Sequence, residues 1–156
     1  AIFDLDGTVI DSSHRQLAKP DGSLDLAHWV ENSTREKVMQ DSILPVRSFW
    51  NDAVAASQTI IVCTARVLGA ADYEFLFHAG MFPHYILSRP EGCTLGDADL
   101  KEFLLRSHAQ TMGYSFARFA ADSEMFDDNQ SVIDRVRSLG IACYNAETLN
   151  AAMKVA

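Results

Sequence analysis

Short apolar runs alternate with amphipathic segments along most of this chain. The clearest run, residues 59–63, is unbroken and β-branched, which predicts a buried strand. Shorter runs of the same kind predict strands at 1–3, 85–87 and 141–144. Predicted helices, several with a 3.6-residue apolar period, lie near 46–54, 70–79, 97–112, 129–139 and 147–154. This alternation predicts an α/β fold in which helices connect parallel strands.

The fourth strand has two candidate positions, residues 116–119 and residues 124–126. We favour the second, because it places Asp127 at the end of a strand. Five strands then predict a Rossmann-like, three-layer α/β sandwich with a mainly parallel five-stranded sheet. Ligands bind beyond the carboxyl ends of the strands in such a sheet, where Asp4, Thr64 and Asp127 are expected to lie.

Composition narrows the functional classes. The chain has 156 residues, of which 48% are hydrophobic and 22% charged, as in one globular domain. It carries 13 Lys and Arg against 21 Asp and Glu, and a net charge of −8 argues against a protein that coats nucleic acid. No apolar run is long enough for a membrane span, and the three cysteines lack metal-site spacing. We therefore expect free thiols, a cytoplasmic location and no membrane partner.

The first chemical motif is FDLDGT, residues 3–8, at the end of the first predicted strand. A carboxylate at a strand end, here Asp4, can attack a phosphoryl group, and the second carboxylate, Asp6, can protonate the leaving oxygen and then activate water. Two carboxylates this close favour a hard cation with oxygen ligands, and Mg²⁺ fits. Taken alone, such a pair is more often a turn-capping residue and a solvated loop acid.

Two further motifs offer groups that bind phosphate. Thr64 follows the strand at 59–63, and its hydroxyl can donate to a phosphoryl oxygen, although it serves equally well as a helix cap. Arg66 can clamp a phosphate with two N–H groups. The apolar stripe of the predicted helix 97–112 includes Leu100 and Phe103. Lys101 lies one residue off this stripe, so we expect it to point sideways rather than into the core. Its ammonium can neutralise the phosphate and the nucleophile, but a single lysine is usually solvated.

A fourth motif, FDD, ends the predicted strand at 124–126. The adjacent carboxylates Asp127 and Asp128 can hold Mg²⁺. Asp128 or Asn129 can also cap the helix that follows, and both roles are compatible.

In this order, FDLDGT, Thr64 within CTAR, Lys101 and FDD resemble the motifs of the haloacid dehalogenase-like phosphohydrolases. The resemblance covers essentially the whole chain. It implies that Asp4 is the nucleophile and Asp6 the general acid and base, and that Thr64 and Lys101 stabilise the phosphate. The strand order of that family would also separate Cys63 from Cys143, which argues against a disulfide between them.

The resemblance further implies a Mg²⁺ site. Asp4 and Asp127 would bind the cation directly, the backbone carbonyl of Asp6 would complete the protein ligands, and Asp128 would assist through water or hydrogen bonds.

We expect residues 1–156 to form a single domain. The segment at about 12–57 would be a small helical insert, so that the domain would have only a minimal cap.

A looser resemblance connects residues 88–92 and 126–144 to the 3′-phosphatase domain of phage polynucleotide kinases. The phosphate-binding loop of a kinase, GxxxxGK[ST], does not occur, so a phosphatase without its kinase is expected. The leading hypothesis is a Mg²⁺-dependent phosphomonoesterase that acts on a nucleotide or a nucleic-acid end through an aspartyl phosphate. A small-metabolite phosphatase or 5′-nucleotidase of the same fold is the alternative, and a non-catalytic binding module is a remote one, because all the motif acids are present.

Substrate contacts are the least determined part of this hypothesis. Thr8, Arg66 and Arg89 are the candidate substrate-binding residues. A local basic mouth would consist of Arg15, Lys19, Arg66, Arg89 and Lys101. Aromatic residues at helical spacing would belong to the core or, less often, stack on a base: Trp29, Phe49 and Trp50. No obligate protein partner is expected.

Overall fold

Five parallel strands form the central sheet of the computed structural model, which describes residues 1–155. In chain order the strands are β1 (Ile2–Phe3), β2 (Ile10–Asp11), β3 (Ser42–Ile43), β4 (Ile61–Cys63), β5 (Tyr85–Leu87), β6 (Glu124–Asp127) and β7 (Ala142–Asn145). The central sheet has the order β5-β4-β1-β6-β7, and β2 pairs with β3 as a separate antiparallel ribbon. The predicted Rossmann-like α/β sheet is therefore confirmed.

The helices connect these strands in the expected alternation. They are α1 (Leu26–Glu31), α2 (Arg35–Val38), α3 (Arg47–Ala55), α4 (Ala70–His78), α5 (Asp97–Thr111), α6 (Phe116–Ala121), α7 (Gln130–Ser138) and α8 (Ala146–Val155). Residues 124–127 form the fourth strand of the central sheet in chain order, as favoured, whereas 116–119 belong to α6. None of the described helices has both the length and the apolar character needed to cross a membrane.

The core lies on both faces of the sheet, because successive strand residues point in opposite directions. Phe3 stacks on Phe126 at 5.0 Å and meets Trp50 at 5.2 Å on one face. Ile2 and Met125, their neighbours in the chain, lie in the cluster on the other face. Burial of both faces explains why these strands are continuous apolar runs rather than alternating ones. Trp50 is therefore a core residue, which is the role that its helical spacing favoured.

The strand order also explains the cysteines. Strands β1 and β6 lie between β4, which contains Cys63, and β7, which contains Cys143. Both thiols are buried, and Cys63, Cys93 and Cys143 are all free. The expected separation is confirmed.

One helix is rotated relative to its prediction. The apolar stripe of α5 was expected to run through Leu100 and Phe103, but Phe103 is 56% exposed. The buried face instead runs through Leu100, Lys101, Leu105 and Ala109. The expectation that Lys101 points sideways is wrong, because its ammonium is drawn inward by two buried carboxylates.

Residues between β1 and β4 form the ribbon β2–β3, helices α1–α3 and a 3₁₀ turn at Ser13–Arg15. The apolar side chains of α1 are largely exposed, with Leu26 at 66% and Val30 at 72%. A buried ion pair fixes this segment: Arg15 donates from Nε and Nη2 to both carboxylate oxygens of Asp41, at 2.8 and 2.7 Å. This pairing connects the 3₁₀ turn to the approach of β3.

Candidate active site

Three adjacent strand ends place the predicted motifs side by side. Asp4 follows β1, Thr64 follows β4, and Asp127 ends β6, and these strands are neighbours in the order β4-β1-β6. Carboxylate oxygens of Asp4, Asp127 and Asp128 lie within 4.8 Å of one another. The structure thus brings together acids that are more than 120 residues apart in the chain.

Lys101 bridges the two buried carboxylates of this group. Its Nζ lies 2.8 Å from Asp4 Oδ1 and 2.6 Å from Asp127 Oδ2. Burial alone would lower the pKa of Lys101, but Asp4 and Asp127 together raise it, so the ammonium stays charged. α5 presents this side chain from one turn inside its N-terminus.

One ammonium does not compensate three carboxylates. Burial raises the pKa of Asp4 to about 7, with Asp127 and Asp6 adding to the effect against the opposing influence of Lys101. Burial also raises the pKa of Asp127, and it raises the pKa of Asp128 to about 6, helped by Asp4. Carboxylates that are buried next to one another are stabilised in their charged form by a cation that binds between them.

The bend in motif one brings the backbone against Asp128. Gly7 has φ +73°, a left-handed conformation that favours glycine. A Cβ at this position would overlap the Asp128 carboxylate. The Leu5 carbonyl accepts N–H groups from Thr8, Val9 and Ile10, which closes the loop tightly. Gly7 is therefore required both for the bend and for the close approach.

Asp6 is turned away from the clustered acids. Its Oδ1 accepts the Ser12 hydroxyl at 2.6 Å, and its Oδ2 lies 3.1 Å from Arg66 Nε. Its carboxylate is not among the three oxygen donors that converge, although its charge raises the pKa of Asp4. The side chain thus lies beside the acid cluster rather than within it.

The two threonines are buried at the same edge. The Thr8 hydroxyl lies 3.5 Å from Asp4 Oδ2, a long hydrogen bond, and Thr64 Oγ1 accepts the backbone N–H of Arg66 at 3.2 Å. Thr64 therefore caps the turn that follows β4, and the same hydroxyl borders the site.

Most of the expected basic mouth is already neutralised. Arg89 donates to the carbonyls of Ala65, Cys93 and Leu95 and pairs with Asp97, so its guanidinium holds the loop between β5 and α5. Three of the other four cations also have acidic partners: Arg15 is buried against Asp41, Arg66 lies between Asp6 and Asp72, and Lys101 bridges Asp4 and Asp127. The fourth, Lys19, is exposed. Arg15 cannot contribute to an open mouth, since its side chain is 0% exposed.

One position near the site, Asp72, was not found from the sequence, and a second, Trp29, lies closer to the site than the core role favoured for it implied. Asp72, in the first turn of α4, lies 3.0 Å from Arg66 Nη1. Trp29 of α1 was assigned mainly to the core, but its ring lies over Arg15 at 4.4 Å and near Arg66 at 5.5 Å. The sequence signal available for Asp72 was an acidic residue in the first turn of a predicted helix. That signal indicates a capping role and not a place beside the site.

Comparison with known proteins identifies relatives of the whole chain. A 5′-deoxynucleotidase of Escherichia phage T5 is 29% identical over 96% of this chain and 67% of the relative. A family model described as bacteriophage T5 5′-deoxynucleotidase matches residues 1–156.

Solved structures agree on the fold. Two structures of the Pnkp1/Rnl/Hen1 RNA repair complex match 92% and 94% of this chain at 21% and 22% identity, with TM-scores of 0.61 and 0.67. This chain spans only 40% and 44% of those chains. A haloacid dehalogenase-superfamily hydrolase from Geobacter sulfurreducens matches 92% of this chain and 86% of its own length, at 12% identity and a TM-score of 0.64. The chain therefore has the haloacid dehalogenase-like fold and belongs to the family of the bacteriophage T5 5′-deoxynucleotidase.

Proposed function

We propose that the protein is a Mg²⁺-dependent phosphomonoesterase that removes the 5′-phosphate of deoxynucleoside monophosphates through an aspartyl phosphate. The observation that carries the proposal is the contact of Lys101 with both Asp4 and Asp127 at the ends of adjacent parallel strands. The activity named for the phage T5 relative supports the substrate class.

The side chains at these strand ends fit a magnesium ion. Asp4, Asp127 and Asp128 supply only carboxylate oxygens, which are the ligands that this hard cation prefers. Burial is the main cause of the raised pKa values of Asp4 and Asp128, and neighbouring acids add to it. When bound, Mg²⁺ would reduce the repulsion between the acids and an incoming phosphate.

Asp4 is the proposed nucleophile. One of its carboxylate oxygens would attack phosphorus while the bond from phosphorus to the ester oxygen breaks. Lys101 would orient Asp4 and attract the phosphate, and the Thr8 and Thr64 hydroxyls, which are buried at the same edge of the sheet, would donate to phosphate oxygens. Asp6 would give its proton to the leaving alkoxide. Asp6 would then take a proton from the water that hydrolyses the aspartyl phosphate, releasing inorganic phosphate.

The charge distribution favours a mononucleotide over a nucleic-acid end. A polynucleotide site needs several free cations along the backbone path. Arg15 and Arg89 are occupied by protein groups, and Arg66 lies between two carboxylates. We therefore favour the 5′-nucleotidase among the alternatives from the sequence, above a polynucleotide 3′-phosphatase.

A substrate panel tests this proposal. We would compare kcat/KM with Mg²⁺ for 5′-deoxynucleotides, 3′-deoxynucleotides, a 3′-phosphorylated oligonucleotide and a sugar phosphate, with Asp4→Asn as the matched variant. We expect the 5′-deoxynucleotides to be preferred, chelator to abolish turnover, and Asp4→Asn to lose several orders of magnitude. Preference for the oligonucleotide would restore the 3′-phosphatase hypothesis, and full turnover by Asp4→Asn would reject the aspartyl phosphate.

A further inference from the structure

A carboxylate on α4 holds the arginine that faces the proposed proton donor. Arg66 places Nε 3.1 Å from Asp6 Oδ2 and Nη1 3.0 Å from Asp72 Oδ1, so one guanidinium joins the two acids. The side chains of Arg66 and Asp72 are 9% and 11% exposed, which removes most screening by water.

Asp72 is itself anchored to the backbone. Its Oδ2 accepts the Gly69 N–H at 2.8 Å at the start of α4, which leaves Oδ1 for Arg66. On the opposite side, Asp6 is held by the Ser12 hydroxyl at 2.6 Å. The three charged groups therefore form a row whose two ends are fixed by separate segments of the chain.

The contacts of Arg66 within this row are close but not aligned as hydrogen bonds. Arg66 Nε and Asp72 Oδ1 are the buried side-chain atoms without a hydrogen-bond partner in the described part of the chain. Charge attraction is therefore what sets the guanidinium position: the Asp72 carboxylate holds Arg66 from one side, and Asp6 adds to this in the part of the cycle in which it carries no proton. Removing the charge of Asp72 would release one of the two attractions and let Arg66 shift relative to Asp6.

We propose that Asp72 is a positioning residue for phosphoester cleavage, acting through Arg66 to hold Asp6 where it delivers a proton to the leaving group. The inference rests on the proposed function, in which Asp6 is the general acid. It assigns Arg66 to the leaving-group side of the site instead of to the clamping of phosphate that the sequence predicted.

Dependence on the leaving group tests this role. A deoxynucleoside alkoxide needs a proton when it leaves, whereas nitrophenolate leaves as a stable anion. Asp72→Asn keeps an oxygen for the Gly69 N–H and removes the charge that attracts Arg66. We expect kcat/KM to fall by about 10- to 100-fold for a 5′-deoxynucleotide, less than the roughly 10²–10⁴-fold that a general acid contributes, and to change little for p-nitrophenyl phosphate.

Three variants complete the experiment. Arg66→Lys, whose point charge cannot reach both acids in the same way, should show the same dependence on leaving group, and it supplies the test if Asp72→Asn does not fold. The double variant should be no worse than the more damaging single one, because both act through one row. Glu74→Gln is the matched control, since Glu74 also lies on α4 and pairs with an arginine, Arg35, but at the surface.

The outcomes separate this inference from the proposed function. Equal losses with both substrates, or a raised KM for both, would mean that Asp72 supports phosphate binding or the fold, and would overturn the positioning role. An unchanged Asp72→Asn would overturn it as well. Failure of the wild type to hydrolyse either substrate would reject the proposed function itself. Leaving-group dependence in Asp6→Asn but not in Asp72→Asn would remove only this inference.

Discussion

Replacing Lys101 by methionine would show how much the buried carboxylates destabilise the fold when they have no cation beside them. Met has a similar length but no charge, so Asp4 and Asp127 lose the ammonium that lies 2.8 and 2.6 Å away. Lys101 is 2% exposed, and removing one partner of a buried ion pair typically costs about 3–5 kcal/mol. We expect a loss of this order in the free energy of unfolding at pH 8 in chelator.

The loss should also depend on pH, with a sign that follows from Asp4. Its folded-state pKa of about 7 lies above the ordinary value of 3.8, so folding favours its protonated form and this contribution to stability is lost as pH rises through about 7. Without Lys101 the folded protein should keep that proton to higher pH, while the unfolded chain releases it. The gap between wild type and variant should then widen by about 1.4 kcal/mol per pH unit above pH 7.

Urea unfolding in chelator at pH 6, 7 and 8, followed by tryptophan fluorescence, measures this gap. Arg118→Met is the control, because the side chains of Arg118 and Asp122 are 74% and 75% exposed and such pairs contribute less than about 1 kcal/mol. A gap for Lys101→Met that is below about 1 kcal/mol, or that stays constant from pH 6 to 8, would refute this account of the buried charges.

Three shorter predictions address the rest of the site. Mg²⁺ should raise the melting temperature more at pH 8 than at pH 5.5, because protons compete with it for Asp4; equal shifts would contradict the metal site. Gly7→Ala should cost about 1–3 kcal/mol and weaken Mg²⁺ binding measured by calorimetry, because its methyl group displaces Asp128; unchanged affinity would count against that contact. Cys63 and Cys143 should react with a thiol reagent only on unfolding, since burial raises both pKa values to about 12; rapid labelling of the native protein would contradict their burial.

The sheet was predictable because its signals are local. Each parallel strand begins with or consists of a short apolar run, and three of the four chemical motifs, all except Lys101, lie directly at the end of such a run. Once β4, β1 and β6 are neighbours, Asp4, Thr64 and Asp127 must share one edge of the sheet. The choice of 124–126 over 116–119 used the same logic, since only that position ends a strand with a carboxylate.

Side-chain direction was less predictable, because it depends on distant partners. Lys101 was assigned from its own helix, where Leu100 and Phe103 define an apolar stripe, but two carboxylates on other elements decide its direction. The burial of the Arg15 side chain is explained by its ion pair with Asp41. Asp41 lies 26 residues further along the chain, so no local sequence pattern predicts this pair. Motif spacing therefore predicts which residues meet at a strand edge, whereas ion pairing decides which cations remain available to a substrate.

The same ion pairing bears on how an acidic chain would accept an anionic substrate. Acidic side chains outnumber cationic ones among the described residues of the site: Asp4 and Asp127 share Lys101, Asp128 lies beside them, and Arg66 is shared between Asp6 and Asp72. In the absence of added positive charge, this edge would repel a phosphate dianion, in keeping with the net charge of −8. Under the proposed function, phosphate affinity should therefore depend on prior occupation of the carboxylate cluster by a divalent cation. Binding of a 5′-deoxynucleotide to Asp6→Asn, a variant that retains the three clustered acids, should be undetectable in chelator and appear with Mg²⁺. Equal affinity in both conditions would mean that Lys101 and Arg66 suffice to hold the phosphate.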